Sequence, residues 1–544
     1  MKSGPADLAR VEQIIDTAGV AKRIELRLPA GVRPRQLKVR TLLAGMTLTM
    51  LEGRDALLTG VHQTLLALPV EAQRRLGVIT DWRTGPHTLT YRQLEYTYRL
   101  LAKTLAKDKP DGSPSQALSE MLDALLEASV QVLGEPASSS YAVDWTAHEA
   151  WSRPPPRKTA GPEPPTEPEA DHHQPAASDN PEPALATNTE KPAQRQRRSD
   201  REASWGHRNT NHPGRNEMFY GYYLQAVTTV KDEHGPQVPE LARRIHLASP
   251  RHDPPAQIVP VITRMHQAGI PICDLLADSG YSYRQPETFA LPIRTLGASL
   301  IIDLHPQDRG PHGTHMGATC SNGALYCPQT PTALLTLGPL HHGASTEQTA
   351  THDHQCQQLT RYKLAPLTSY DHDGYRRVSC PAAQGKIRCP LRPQSMTLPH
   401  DHPTILDPPE HPPACCQQQT ITVPPSVNAK TAQKHDWPSP QHRHSYNRRS
   451  AAERTFATLT DRSTNDLSRG WCRLTGLTPI ALFTATALIA RNIRIHDACN
   501  TRQADNQQRA ANGLPPRQRK RRRQTAADLI AAANAPPQPT TLAA

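Results

Sequence analysis

Aromatic side chains are scarce in this sequence, making up 4% of its 544 residues, with only four phenylalanines. Hydrophobic residues of all kinds reach 36%, which excludes a wholly globular chain with one large core. The length instead implies two to four units. Glycine is thin beside proline, 29 against 54, so the non-globular parts are expected to be extended and linker-like. The opening "MKSGPADLARVEQ" lacks the apolar region of a signal peptide. No apolar run reaches the roughly 20 residues that span a bilayer. The nearest, "LTGLTPIALFTATALIA" (474–490), carries several threonines and reads as a buried helix. Acidic residues are in deficit, 50 against 62 basic, for a net charge of +12 and a pI near 9.3. That balance favours a polyanionic partner, nucleic acid ahead of an anionic membrane surface. A cytoplasmic chain is expected, with its ten cysteines as thiols or metal ligands and not disulfides.

What is present falls into blocks. Residues 1–135 read as a helical amino-terminal domain. In it, "TLTYRQLEYTYRLLAKTLAKD" offers Thr88 or Thr90 as a cap and gathers Tyr91, Arg92, Tyr96, Tyr98 and Arg99 on one segment. Such a segment suits a DNA-binding helix-turn-helix or a plain helical bundle. Residues 136–152 read as a first strand around Asp144. Residues 153–215 are Pro-rich, mixed in charge and unable to bury enough apolar surface to fold, an insertion at a hairpin tip. Its last part, "ASWGHRNTN" (203–211), is expected as loop, with contact of Trp205, His207 and Arg208 with DNA as the alternative. From 216 to 306 come a strand "FYGYYLQAVTTV", a helix "PPAQIVPVITRMHQAGI", a short strand closing at Asp278, a helix-like "QPETFALPIRTL" and a strand "GASLIIDLHP". This order indicates a mixed α/β sheet. Residues 307–440 are irregular, rich in Pro and His, and hold seven of the ten cysteines. Residues 441–498 add two helices, and 499–544 form a basic tail.

Two aspartates stand at the ends of apolar stretches, Asp144 in "YAVDWT" and Asp278 in "LLADSGYS". A buried acid is costly unless something pairs with it. In "HSYNRRSAAERTFATLTD" (444–461), Tyr446, Arg449 and Glu453 fall within about 60° of one another on a helix. Three carboxylates about 4 Å apart repel by about 4 kcal/mol per pair at an effective dielectric near 20. Such a group persists when a divalent cation opposes the charge, as in two-metal phosphoryl transfer.

These three segments together resemble the DDE transposases of bacterial insertion sequences, and within them the group with a Y-(2)-R-(3)-E-(6)-K signature. Tyr446, Arg449 and Glu453 match it without a gap, while Thr460 stands where the signature has lysine. The resemblance covers roughly 138–494. It implies a ribonuclease-H-like mixed sheet with flanking helices, interrupted by the 307–440 insertion. It further implies DNA cleavage and strand transfer with Mg²⁺ or Mn²⁺ held by Asp144, Asp278 and Glu453. Tyr446 and Arg449 would meet DNA phosphates or orient Glu453, with Arg454 or Arg462 compensating for the absent lysine. DNA-end synapsis implies a homodimer on DNA. A nuclease of the same fold and a non-catalytic DNA-binding remnant are the alternatives.

Two further features carry charge or soft ligands. The run "RQRKRRRQ" (517–524), with Arg519, Lys520, Arg521 and Arg522, is expected to track phosphates as an arm. Cys320, Cys327, Cys380, Cys389, Cys415 and Cys416 lie among histidines, yet "CSNGALYC" and "CPAAQGKIRC" are spaced more widely than a zinc knuckle. Reduced, partly buried thiols are therefore the reading, with structural zinc as the alternative.

Overall fold

β-Branched and aromatic residues build the centre of the fold. The structure is a computed structural model that describes residues 4–29, 35–82, 85–155, 200–209, 216–341 and 343–517. Strand β1 (Ser140–Glu149) pairs antiparallel with a long strand that runs Asn216–Val230, in register from Ser140 opposite Val230 to Glu149 opposite Gly221. With Ser204–Asn209 as β2, that long strand is β3. β2 lies along the first half of the outer edge of β3, and β4 (Ala242–Ala248) lies along the second half. On the other side of β1 come two parallel strands, β5 (Asp274–Ala277) and β6 (Ser299–Ile302). The result is an open mixed sheet in the order β2-β3-β1-β5-β6, with β4 also on β3. Helices flank it, and the class is mixed α/β, as expected from the sequence.

Two strands differ from the sequence reading. Ser204–Asn209, expected as loop, is β2. Its pairing is fixed by Trp205, edge-on to Tyr220 at 5.7 Å, and by Gly206, where a Cβ would lie 2.8 Å from both Phe219 and Pro250. β4, "ARRIHLA", carries two adjacent arginines that disguise a fully buried strand. Arg243 is neutralised by Glu127 and Glu135, and Arg244 by Glu127 and Asp123. Charge pairing, not an apolar pattern, makes that strand compatible with burial.

The amino-terminal helices share one core with the sheet. Helices α1 (Pro5–Ala18), α2 (Val39–Leu51), α3 (Tyr91–Leu105) and α4 (Gln116–Leu133) bury Val11, Leu42, Leu94 and Leu122 in the cluster that also holds Tyr222, Leu224, Ile245 and Phe483. Thr90 caps α3 in a reciprocal box with Gln93, and Ser115 caps α4. Tyr98 does not face outward: it is buried, its ring 6.0 Å from that of Phe483. The opposite face of the sheet is covered by α5 (Pro254–Gln267), with Tyr141, Val143, Ile258 and Ile262 in a second cluster.

The 307–440 segment is more regular than its composition suggests. Pro311–His315, Ala318–Ser321 and Ala324–Tyr326 form one small sheet, and Ala365–Pro366, Arg376–Ser379 and Thr420–Val423 another. A helix, Thr346–Tyr362, accompanies them. Helices α6 (Pro440–Tyr446), α7 (Ser450–Leu459) and α8 (Leu477–Ala511) follow. The apolar 474–490 stretch lies almost wholly within α8 and is buried there. Among the described residues no helix is long and apolar enough to cross a membrane. The chain divides into a unit of residues 1–493 and a small unit of 494–544. Arg519, Lys520, Arg521 and Arg522, expected to contact DNA, lie outside the described residues.

Candidate active site

Strand register alone aligns the first two acids. β1 and β5 are parallel with Ser140 beside Asp274 and Ala142 beside Leu276. Continued for two residues, that register sets Asp144 level with Asp278. β5 and β6 match Ala277 with Ile302, so the next step sets Asp303 level with both. Residues two apart share a face of a strand. Ala142, Leu276 and Ile301 form one packed layer with Ala451 and Ala452 of α7. The same face, two residues further on, presents Asp144, Asp278 and Asp303. Small alanines let α7 approach closely, and Glu453 is the next residue along it.

The helical run that carries Glu453 is not continuous. α6 ends at Tyr446, a 3₁₀ turn covers Asn447–Arg449, and α7 begins at Ser450. The two arginines of that turn divide the work of anchoring it. Arg448 is buried and binds Asp274 at 3.0 Å and the carbonyl of Lys231 at 3.0 Å, beneath the sheet's acid layer. Lys434 holds the same Asp274 at 2.9 Å. Arg449 turns the other way. It donates to Asp144 at 3.0 Å, pairs closely with Glu453, and stacks its guanidinium 5.6 Å from the Tyr446 ring. The structure thus brings Asp144, Glu453, Tyr446 and Arg449 into direct contact through one side chain, with Asp278 in the same electrostatic neighbourhood.

The environment of the acids is asymmetric. The Asp144 side chain is only 13% exposed, whereas that of Glu453 is 57% exposed. Burial, with the charge of Asp278 beside it, raises Asp144 to about 7, against the pull of Arg449 and a hydrogen bond from the Trp145 amide at 2.8 Å. Asp278 is raised for the same first reason, burial, and opposed by Arg449 and by the Gly280 amide at 3.0 Å. Tyr446 is also raised by burial. Two buried carboxyls held above the usual carboxylate range are groups a hard divalent cation would recharge. The oxygen donors of Asp144, Asp278 and Glu453 fit Mg²⁺ or Mn²⁺ by chemistry. Among the described residues, though, no group of three or more His, Cys, Asp or Glu side chains is arranged as a ready metal cage. Arg449 supplies the positive charge between Asp144 and Glu453.

Other expected residues are placed differently. Arg454 leans away from the acids and forms a two-point pair with Glu240 at 2.6 and 2.8 Å. Arg462 lies over the Trp471 ring and 3.5 Å from Asp466. Thr460 caps α7 and is exposed, bonding only backbone carbonyls. Sequence reasoning missed three contributors. Asp303 accepts from the Trp437 indole at 2.9 Å; its signal was an acid directly after "SLII", as at Asp278. Trp145 packs on Tyr281 at 4.6 Å. Gly280 is required because a Cβ there would lie 2.3 Å from the Trp145 ring. No family model, curated protein or solved structure matches the chain.

Proposed function

We propose that this chain is a metal-dependent DNA strand-transfer enzyme, a DDE transposase that acts on the ends of an insertion sequence through a ribonuclease-H-like core. One observation carries the reading: Asp144, Asp278 and Glu453, from segments separated by 134 and 175 positions, meet around Arg449 at one end of a mixed sheet. A fold has no packing reason to bury two like-charged carboxyls side by side.

Bound Mg²⁺ or Mn²⁺ would activate a water or a 3′-hydroxyl and stabilise the leaving oxygen. Asp144 and Asp278, fixed by the backbone amides of Trp145 and Gly280, hold their side of the site rigid. Glu453, on the solvent side, completes the set from a helix. Arg449 neutralises the acids and, on loading, is free to turn to a DNA phosphate, the task its planar donor fork suits. Tyr446 supports Arg449 through its ring face. The basic tail and exposed amino-terminal positions such as Arg92 would bind DNA beyond the site, and pairing of two ends would require two copies of the chain.

The test uses supercoiled plasmid carrying terminal inverted repeats from the DNA that flanks the coding region, with Mg²⁺. Strand transfer supports the proposal; cutting alone indicates a nuclease, and binding alone a remnant without catalysis. Asp278→Asn is expected to abolish chemistry, by at least about 10³-fold, while DNA binding persists. Cutting by that variant at the wild-type rate would remove Asp278 from the site.

A further inference from the structure

The cysteines spaced too widely in sequence for a zinc knuckle come together in the fold. Cys327, Cys380 and Cys389 each precede a proline, Pro328, Pro381 and Pro390. Each opens a tight turn: Thr330 donates to the Cys327 carbonyl at 3.0 Å, Gln384 to that of Cys380 at 3.2 Å and Arg392 to that of Cys389 at 2.9 Å. Proline fixes the backbone after each cysteine, and the turn directs amides back at the sulfur. The Gln329 amide donates to Cys327, the Ala382 and Ala383 amides to Cys380, and the Leu391 amide to Cys389. Donors aimed at sulfur stabilise thiolate over thiol.

A fourth thiol joins them. Cys416 lies in the short helix Ala414–Gln417, 3.9 Å from the sulfur of Cys415. Cys327 feels the charges of Cys380, Cys389 and Cys416, and both Cys380 and Cys389 feel Cys416. All four are buried. Burial raises Cys327, Cys380 and Cys389, so without an opposing charge they remain neutral. Four buried thiols, three of them with backbone amides turned toward the sulfur, make little sense as packing alone.

Their position supplies a purpose. The 307–440 segment has two small cores. Cys327, Cys380 and Cys389 belong to one, with Tyr326, Leu359 and Ile387; Cys416 belongs to the other, with Leu325, Val378 and Ile421. Cores this small need a staple, and a structural metal is one of the usual kinds. We propose that Cys327, Cys380, Cys389 and Cys416 bind one zinc ion that ties these two cores together. Cys415 also feels Cys327 and Cys380, but Cys416 is the thiol whose charge reaches all three others, so Cys416 is the fourth ligand and Cys415 stands beside it. Among the described residues no group of three or more His, Cys, Asp or Glu side chains is placed to hold a metal as it stands, so binding requires the four sulfurs to close to the tetrahedral zinc–sulfur distance of about 2.3 Å. Binding exchanges four thiol protons for the ion, so no redox step is involved.

The full chain, purified without chelators, provides the test. Elemental analysis is expected to give about one zinc per chain, released in step with the blocking of about four thiols by a mercurial. Exchange with Co²⁺ alone should give the intense visible bands of a tetrahedral thiolate site. Cys416→Ser is expected to reduce zinc at least about tenfold, while Cys415→Ser and Cys472→Ser keep it. If Cys416→Ser fails to fold, zinc release and the Co²⁺ spectrum of the wild-type chain decide alone. Zinc below about half an equivalent without a Co²⁺ thiolate spectrum, or undiminished zinc in folded Cys416→Ser, would overturn the assignment.

Discussion

Asp144 is a residue at which burial has a direct chemical consequence. In the unfolded chain its carboxyl ionises near the ordinary value of about 3.9, whereas in the fold it holds its proton to about 7. Between those values the unfolded state binds fewer protons than the folded one, so metal-free stability must fall as pH rises from about 4 to 7. The loss is on the order of 3 kcal/mol. Asp144→Asn, which cannot ionise, is expected to flatten that dependence and to exceed the wild type in stability at pH 8 with chelator present. Urea unfolding at pH 5 and pH 8 measures both, and equal pH slopes in the two proteins would refute the raised carboxyl. Mg²⁺ should stabilise the wild type more at pH 8 than at pH 5, because cation and protons compete. Asp144, Asp278 and Glu453 were legible in the sequence because each sits in a recognisable local pattern. Asp303 carries a weaker signal, an acid after "SLII" as Asp278 follows "DLLA", and over so few residues an acid that ends an edge strand looks like one that opens a turn.

At the scale of elements, the helical run that carries Glu453 depends on a buried anchor rather than on its own propensity. Arg448 and Asp274 are 5% and 3% exposed at their side chains, and Lys434 shares the load. Removing one member of a buried pair leaves an uncompensated charge, which costs about 3–5 kcal/mol. Arg448→Ala is therefore expected to lower urea stability by about 3 kcal/mol or more. It should also loosen Arg449, one residue on, and so lower DNA cleavage further than stability alone explains. A drop below about 1 kcal/mol would mean that Lys434 suffices for Asp274. The same scale shows where sequence patterns mislead. β1, β3, β5 and β6 were readable from β-branched runs, but β4 hides two arginines whose partners lie more than a hundred positions upstream in α4 and beside it. β2 has too little apolar content to announce itself and exists because Trp205 and Gly206 fit Tyr220 and Phe219. Tertiary partners, invisible to local periodicity, decided both.

The strands of the sheet are separated in sequence by long excursions. The first follows β1 and ends at Asp200, whose amide donates to Ser152 at 3.0 Å and whose carboxylate accepts from the Gly476 amide at 2.7 Å. The ends of that excursion are thus pinned together by described residues. Replacing 156–199 with about four residues of Gly and Ser is expected to leave the melting temperature within about 2 °C, since loop closure depends only logarithmically on length. A folded deletion variant that binds DNA ends but no longer cuts them would instead give the segment a catalytic duty. The net charge of +12 is the other whole-molecule property, and much of it is concentrated in Arg517, Arg519, Lys520, Arg521, Arg522 and Arg523. Each phosphate neutralised by a bound cation releases counterion, so affinity falls with salt at a slope of about 0.9 per contact on duplex DNA. If this run tracks the backbone, truncation after Pro516 should lower the slope of log affinity against log salt by about 3 to 5. Cleavage geometry at the acids should be unchanged, because the run supplies only sequence-independent attraction. Fluorescence anisotropy of end-containing and unrelated duplexes across a salt series separates the contributions. An unaltered slope on both would strip the tail of its DNA role, while a loss confined to the end-containing duplex would make it a reader of sequence.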